Sequence, residues 1–205
     1  MTATQTEAQY TRRNEIEEAR APEVQRAFRA LQDAISATAT LPKALRGMIF
    51  TVSSIGAGCH HCQSHGACGL ARGGEGVDKI RALWNFEASP LFTDAEKAAL
   101  RFARAAGMTP NATTPGHHAE LRKYYTDAEI AQILVQLCVG GWLNRWNDSL
   151  ATVTDQESVD WANENLASVG WTIGKHVGEK SEQRKGNPEV SRRLEEEAWA
   201  KRGKQ

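Results

Sequence analysis

Through most of this 205-residue chain the apolar residues recur every three or four positions, and nowhere do they alternate long enough to make a strand. Val24, Phe28, Leu31 and Ile35 step by four, three and four. Leu45, Met48, Ile49, Val52 and Ile55 form a second stripe, and Ile130, Ile133, Leu134, Leu137, Cys138 and Trp142 a third. Each predicts the core face of an amphipathic helix. Thr93-Asp94-Ala95-Glu96, Thr126-Asp127-Ala128-Glu129 and Thr154-Asp155-Gln156-Glu157 read as capping boxes, the Thr oxygen taking a free amide and the Glu reaching back. Leu41-Pro42, Gly73-Gly74, Ser89-Pro90 and Thr114-Pro115-Gly116 supply the breaks. The pattern predicts an all-α, single-domain helical bundle of about eight helices.

The organisation expected is a frayed N-terminus over 1–10, a helical domain over 11–177 and a charged tail or arm over 178–205, where 14 of the last 28 residues are charged. Lys plus Arg and Asp plus Glu are both 25, so the net charge is zero and a phosphate-tracking nucleic-acid binder is not expected. No apolar run approaches the roughly 18 residues of a membrane span. The first twenty residues carry no apolar signal core, so a cytoplasmic location is expected.

Three of the four cysteines, Cys59, Cys62 and Cys68, fall within ten residues, which points to chemistry or metal binding and away from a disulfide framework. They lie in Ile55-Gly-Ala-Gly-Cys-His-His-Cys-Gln-Ser-His-Gly-Ala-Cys68. Gly56 and Gly58 suit a helix C-terminus, and a new helix is expected to begin near Cys59. Unpaired amides and partial positive charge in a first turn favour thiolate over thiol. Cys59 and Cys62, three apart, share a helical face and are spaced to close a short disulfide. His65, three beyond Cys62, is expected over the same sulfur as proton carrier, with His61 beside it in sequence.

This stretch resembles the carboxymuconolactone decarboxylase-like superfamily, whose best-known thiol member is alkyl hydroperoxidase D. The likeness extends to Leu83-Trp84-Asn85-Phe86, Ser89-Pro90-Leu91-Phe92-Thr93-Asp94-Ala95-Glu96, Leu143-Asn144-Arg145-Trp146-Asn147-Asp148 and Gly170-Trp171-Thr172-Ile173-Gly174-Lys175-His176, covering roughly residues 20 to 177. The resemblance implies an all-helical fold and a homo-oligomer (dimer, trimer or hexamer). It implies an antioxidant thiol peroxidase or disulfide reductase that acts on a small hydroperoxide or disulfide, has no cofactor beyond its redox-active cysteine pair and is regenerated by an external thiol reductant. It implies that Cys62 attacks and Cys59 resolves, whereas helix-dipole reasoning alone favours Cys59 as the more acidic thiol. Two relay positions of alkyl hydroperoxidase D are changed: its glutamate falls at Gly47 and its histidine at Gly66, one residue beyond His65. The alternatives are a three-ligand metal site of Cys59, Cys62 and His65, with His60, His61 and Cys68 in reserve; a non-redox lyase or isomerase; and a structural role.

Elsewhere the expectations are plainer. Cys138 reads as core, and Trp84, Trp142 and Trp146 as core or interface. Arg145 and Asp148, three apart at a helix end, are expected to pair with each other or cap a neighbour; His117-His118 to be solvated; and His176, after Gly174-Lys175, to be a loop residue at a subunit contact.

Overall fold

A computed structural model describes residues 20–177. The expected frayed N-terminus and charged tail lie outside the described residues. Among them are eight α-helices and no strand, as the periodicity predicts: α1 (Pro22–Ala37), α2 (Lys43–Ala57), α3 (His60–Arg72), α4 (Val77–Ala82), α5 (Asp94–Gly107), α6 (Pro115–Leu121), α7 (Asp127–Leu150) and α8 (Gln156–Leu166). Short 3₁₀ turns follow at Leu83–Asn85, Ala167–Val169 and Gly174–His176. No described helix is long and apolar enough to cross a membrane.

Helix α2 is the centre of the bundle. Its stripe of Leu45, Met48, Ile49 and Val52 is buried, and α5, α3 and α7 pack around it. Its Thr51, Ser53 and Ser54 are buried too, but each hydroxyl turns back on the helix: Thr51 donates to Gly47 O at 2.9 Å, and Ser53 and Ser54 donate to Phe50 O at 2.9 and 2.8 Å. Buried hydroxyls satisfied in this way cost little. The helix can therefore be surrounded on all sides.

Helix α5 approaches α2 backbone to backbone. A Cβ on Gly56 would sit 2.4 Å from Arg104 O, and one on Gly107 would sit 2.1 Å from Ser53 O. Alanine normally favours a helix over glycine by about 1 kcal/mol. Here neither carbonyl can rotate away as a side chain would, so overpacking wins. Gly56→Ala is expected to destabilise by about 1–3 kcal/mol, lowering the thermal midpoint by several degrees; a midpoint that rises would refute this close approach.

Two of the predicted boxes form as read, Thr93 with Glu96 and Thr126 with Glu129. The third shifts by one residue. Asp155, not Thr154, caps α8 and accepts from Ser158 N at 3.0 Å, while Thr154 is fully buried. A further box unites Thr114 with His117 at the start of α6, and His118 meets the Phe102 ring edge-on at 4.9 Å. The histidine pair is thus half-buried and partnered, not solvated.

Two apolar stripes are core only in part or not at all. In α7 the buried positions are Ile130, Ile133, Leu137, Gly140, Asn144 and Asn147, spaced three and four apart, together with Val139. Leu134 and Trp142 point outward with Cys138, which corrects the expectation that Cys138 is core. The stripe was wider than the face α2 can cover. On α1 only Gln25 is buried; Val24 and Leu31 are each 49% exposed, and Phe28 stacks on Trp142 with centroids 5.1 Å apart. The outer faces of α1 and α7 thus form a shared apolar surface. Trp84 packs against the core as expected.

Candidate active site

The α2–α3 junction builds the site. Gly58 ends α2 in the left-handed region (φ 73°), a conformation that suits glycine, and Cys59 N then donates to Ser54 O at 3.1 Å. The next residue already caps α3: Cys59 Sγ accepts from Cys62 N at 3.3 Å. One turn on, Cys62 Sγ lies 2.6 Å from Cys59 Sγ, close enough to be joined by a disulfide, and both side chains are buried. Asn147 Nδ2 approaches Cys62 Sγ at 3.9 Å from α7. The pair and its helix start stand where the sequence places them.

The histidines do not. His65 turns to the surface, its Nε2 2.9 Å from Asp155 Oδ2. Burial would raise the Asp155 carboxyl, but the His65 imidazole and the Ser158 amide outweigh it and hold the group well below the usual carboxylate range. His61 is buried, with Nδ1 3.1 Å from Thr154 Oγ1, its ring between those of His65 (4.3 Å) and His176 (5.6 Å). Burial pushes the Cys68 thiol up, so Cys68 stays protonated.

The imidazole that reaches the thiols is that of His176, which was expected at a subunit contact. The segment after α8 folds back over the start of α3. Trp171 Nε1 donates to His60 O at 3.2 Å, the His60 ring meets Thr172 O, and Thr154 N donates to His176 O at 3.1 Å. This strap buries His176 completely. Its Nδ1 lies 2.8 Å from Thr152 O, which can only accept, so Nδ1 carries a proton in either state: the neutral ring keeps its lone pair on Nε2, and the imidazolium carries its second proton there. Nε2 then faces Asp148 Oδ1 at 3.4 Å, and Cys59, Asp148 and His176 each place one donor atom within 4.8 Å of the others. Asp148 and Arg145 do not pair with each other but each engages a neighbour: Asp148 Oδ2 takes Lys175 Nζ at 2.8 Å, and Arg145 reaches Thr109 Oγ1 at 3.4 Å.

These contacts split the two thiols. A hydrogen bond from the Cys62 thiol, helped by His176 and the Cys62 amide against the opposing effect of burial, lowers Cys59 to about 6. The same bond, burial and the charge on Cys59 push Cys62 far up. The Cys62 amide and the His176 imidazole both favour negative charge on Cys59, as helix-dipole reasoning does and opposite to the order the family resemblance implies. Burial opposes protonation of His176, but the Cys59 thiolate, the Thr152 carbonyl and Asp148 raise it above the ordinary imidazole value.

The two changed relay positions point elsewhere. A side chain at Gly47 would start 2.7 Å from Leu70 Cδ2, and one at Gly66 2.5 Å from Thr51 Oγ1. The imidazole and carboxylate near the thiols come instead from the C-terminal strap and from α7. A cleft of about 240 Å³ between α2, α5 and α7, lined by Ser53, Leu137, Gly141, Asn144 and Arg145, reaches the cluster at Asp148.

An all-helical bundle with paired thiols at a buried helix start defines the class of protein. The model of the carboxymuconolactone decarboxylase family matches residues 22–105, α1 through α5 with both cysteines. Over these residues the chain is similar to the carboxymuconolactone decarboxylase family. Among solved structures it is similar to the debrominase Bmp8 without ligand (29% identity, TM-score 0.68, covering 74% of this chain and 79% of that one). It is similar also to a cysteine-to-alanine variant of Bmp8 in complex with 2,3,4-tribromopyrrole (29%, 0.68, covering 71% and 78%). The alkylhydroperoxidase AhpD core of an uncharacterized peroxidase-related protein from Ralstonia eutropha JMP134 shares the fold (21%, 0.62, covering 76% and 83%). Comparison with curated proteins gives no match.

Proposed function

We propose that the chain is a thiol-dependent oxidoreductase in which Cys59 and Cys62 cycle between dithiol and disulfide. The observation that carries this is the 2.6 Å pair in which the helix cap, the partner thiol and His176 all act on one sulfur. With a hydroperoxide, the Cys59 thiolate attacks one oxygen and the O–O bond breaks. The alkoxide leaves with the proton of the His176 imidazolium, and Cys59 becomes a sulfenic acid. Cys62 then attacks that sulfur, the S–S bond forms and water leaves. The sum is one hydroperoxide and two thiols giving one alcohol, one water and one disulfide, and an external thiol reduces the disulfide. The apolar surface shared by α1 and α7 supports assembly into a homo-oligomer.

The likeness to Bmp8 supports a second substrate class, a halogenated pyrrole, from which the same thiol pair would remove halogen as halide while forming the same disulfide. Differential alkylation with peptide mass analysis tests both. Reduced, metal-free protein given one equivalent of hydroperoxide is expected to lose both alkylation sites within seconds and to yield a Cys59–Cys62 cross-linked peptide. Disulfide formation with a bromopyrrole and bromide release, but none with hydroperoxide, would favour the second class. Thiols that stay alkylatable with both would end the redox reading.

A further inference from the structure

We propose that Cys59, Asp148 and His176 form a zinc site with three protein ligands and one open position. The ligands come from three elements and each brings one donor atom within 4.8 Å of the others. The 3.4 Å edge between His176 Nε2 and Asp148 Oδ1 already fits neighbouring ligands around a tetrahedral ion with bonds of about 2.0–2.3 Å.

His176 supplies the independent observation. It is fully buried, yet its Nε2 makes no hydrogen bond. A buried ring nitrogen that makes no hydrogen bond and has only a carboxylate oxygen at 3.4 Å beside it is uncommon. The opposite nitrogen is held on the Thr152 carbonyl, which fixes the tautomer and turns the Nε2 lone pair toward the sulfur and the carboxylate. Asp148 is held likewise, with Oδ2 on Lys175 and Oδ1 left to face inward. A thiolate and a carboxylate together neutralise a divalent charge. Sulfur and imidazole nitrogen select zinc over magnesium or calcium, which take oxygen ligands. Zinc on the Cys59 sulfur and His176 Nε2 would occupy the groups that thiol attack needs, so metal-bound protein would resist oxidation. This ligand set differs from the Cys59, Cys62 and His65 expected from sequence, since His65 faces Asp155.

The test is cobalt titration of the phosphine-reduced, chelator-stripped full chain, followed by zinc competition. The expected result is a thiolate-to-cobalt charge-transfer band in the near ultraviolet that saturates at one equivalent and is bleached by zinc. Zinc is also expected to slow alkylation of Cys59. Asp148→Ala, at a half-exposed position, should weaken zinc at least about tenfold, as loss of a metal-orienting group commonly does. His65→Ala should bind as the parent does. Absence of the band overturns the site, and so does binding that survives Asp148→Ala but is lost in His65→Ala. Hydroperoxide-driven disulfide formation is scored separately on metal-free protein, so failure of zinc binding leaves the redox reading standing, and the reverse holds as well.

Discussion

Cys59→Ser is expected to abolish hydroperoxide-driven turnover, with a loss on the order of 10⁴-fold or more, the scale seen when a nucleophile is removed. The reason is where the charge sits. Cys59 accepts from the Cys62 thiol and from the Cys62 amide and faces His176, and these lower it below the ordinary thiol value and favour negative charge there. Cys62 is held as a thiol by the charge beside it. Cys62→Ala makes the complementary prediction. It keeps the attacking sulfur but removes the largest influence that lowers it, so the alkylation midpoint of Cys59 should move up from about 6 and a sulfenic acid should accumulate at Cys59 for want of a resolving thiol. Mass analysis after trapping with dimedone reads both. A sulfenic acid found at Cys62 in the Cys59→Ser protein would reverse the two roles and restore the order implied by the family.

His176→Gln is expected to slow the attack by about 10²–10⁴-fold, the usual worth of a positioned acid or base. The sign of the pH dependence follows from the two shifts. Cys59 is lowered, so the thiolate fills as pH rises through about 6. His176 is raised, so it keeps its proton below its shifted value and loses it above. Their product is a bell whose acid limb belongs to Cys59 and whose alkaline limb belongs to His176. Glutamine can still donate a hydrogen bond but cannot titrate. The alkaline limb should vanish and the acid limb should move up, because the cation beside the thiolate is gone. A purely structural histidine would change thermal stability and leave the shape of the profile alone, so a bell that survives in His176→Gln would remove His176 from the mechanism.

Much of this arrangement was legible before the fold. Helix α2, its ending at Gly58 and the restart at Cys59 followed from local chemistry: a buried stripe, a glycine able to turn left-handed and a sulfur three residues ahead of a free amide. The closeness of Cys59 and Cys62 is a property of one helical turn and needed no tertiary contact. The errors cluster where a neighbour decides. Cys138 and Leu31 lie on stripes with the right period, but the period does not say which other helix will cover a stripe. Thr154 lost its cap to Asp155, since its hydroxyl faces His61 inside the bundle.

His176 is the largest of these omissions. Its flank, Gly174-Lys175, carries a loop signal, and a lone histidine in a loop has no local feature that points to a thiol. A small clue was available in Trp171, a large residue with one donor, which anchors the strap on the His60 carbonyl. By itself the sequence determined the helices, the break between α2 and α3 and the thiol pair, because each depends on residues within a few positions of one another. Only the tertiary structure decided which imidazole and which carboxylate stand beside Cys59. That choice is made by the strap after α8 folding back onto α3 and by α7 crossing α2, contacts between segments far apart in the chain that no local spacing encodes.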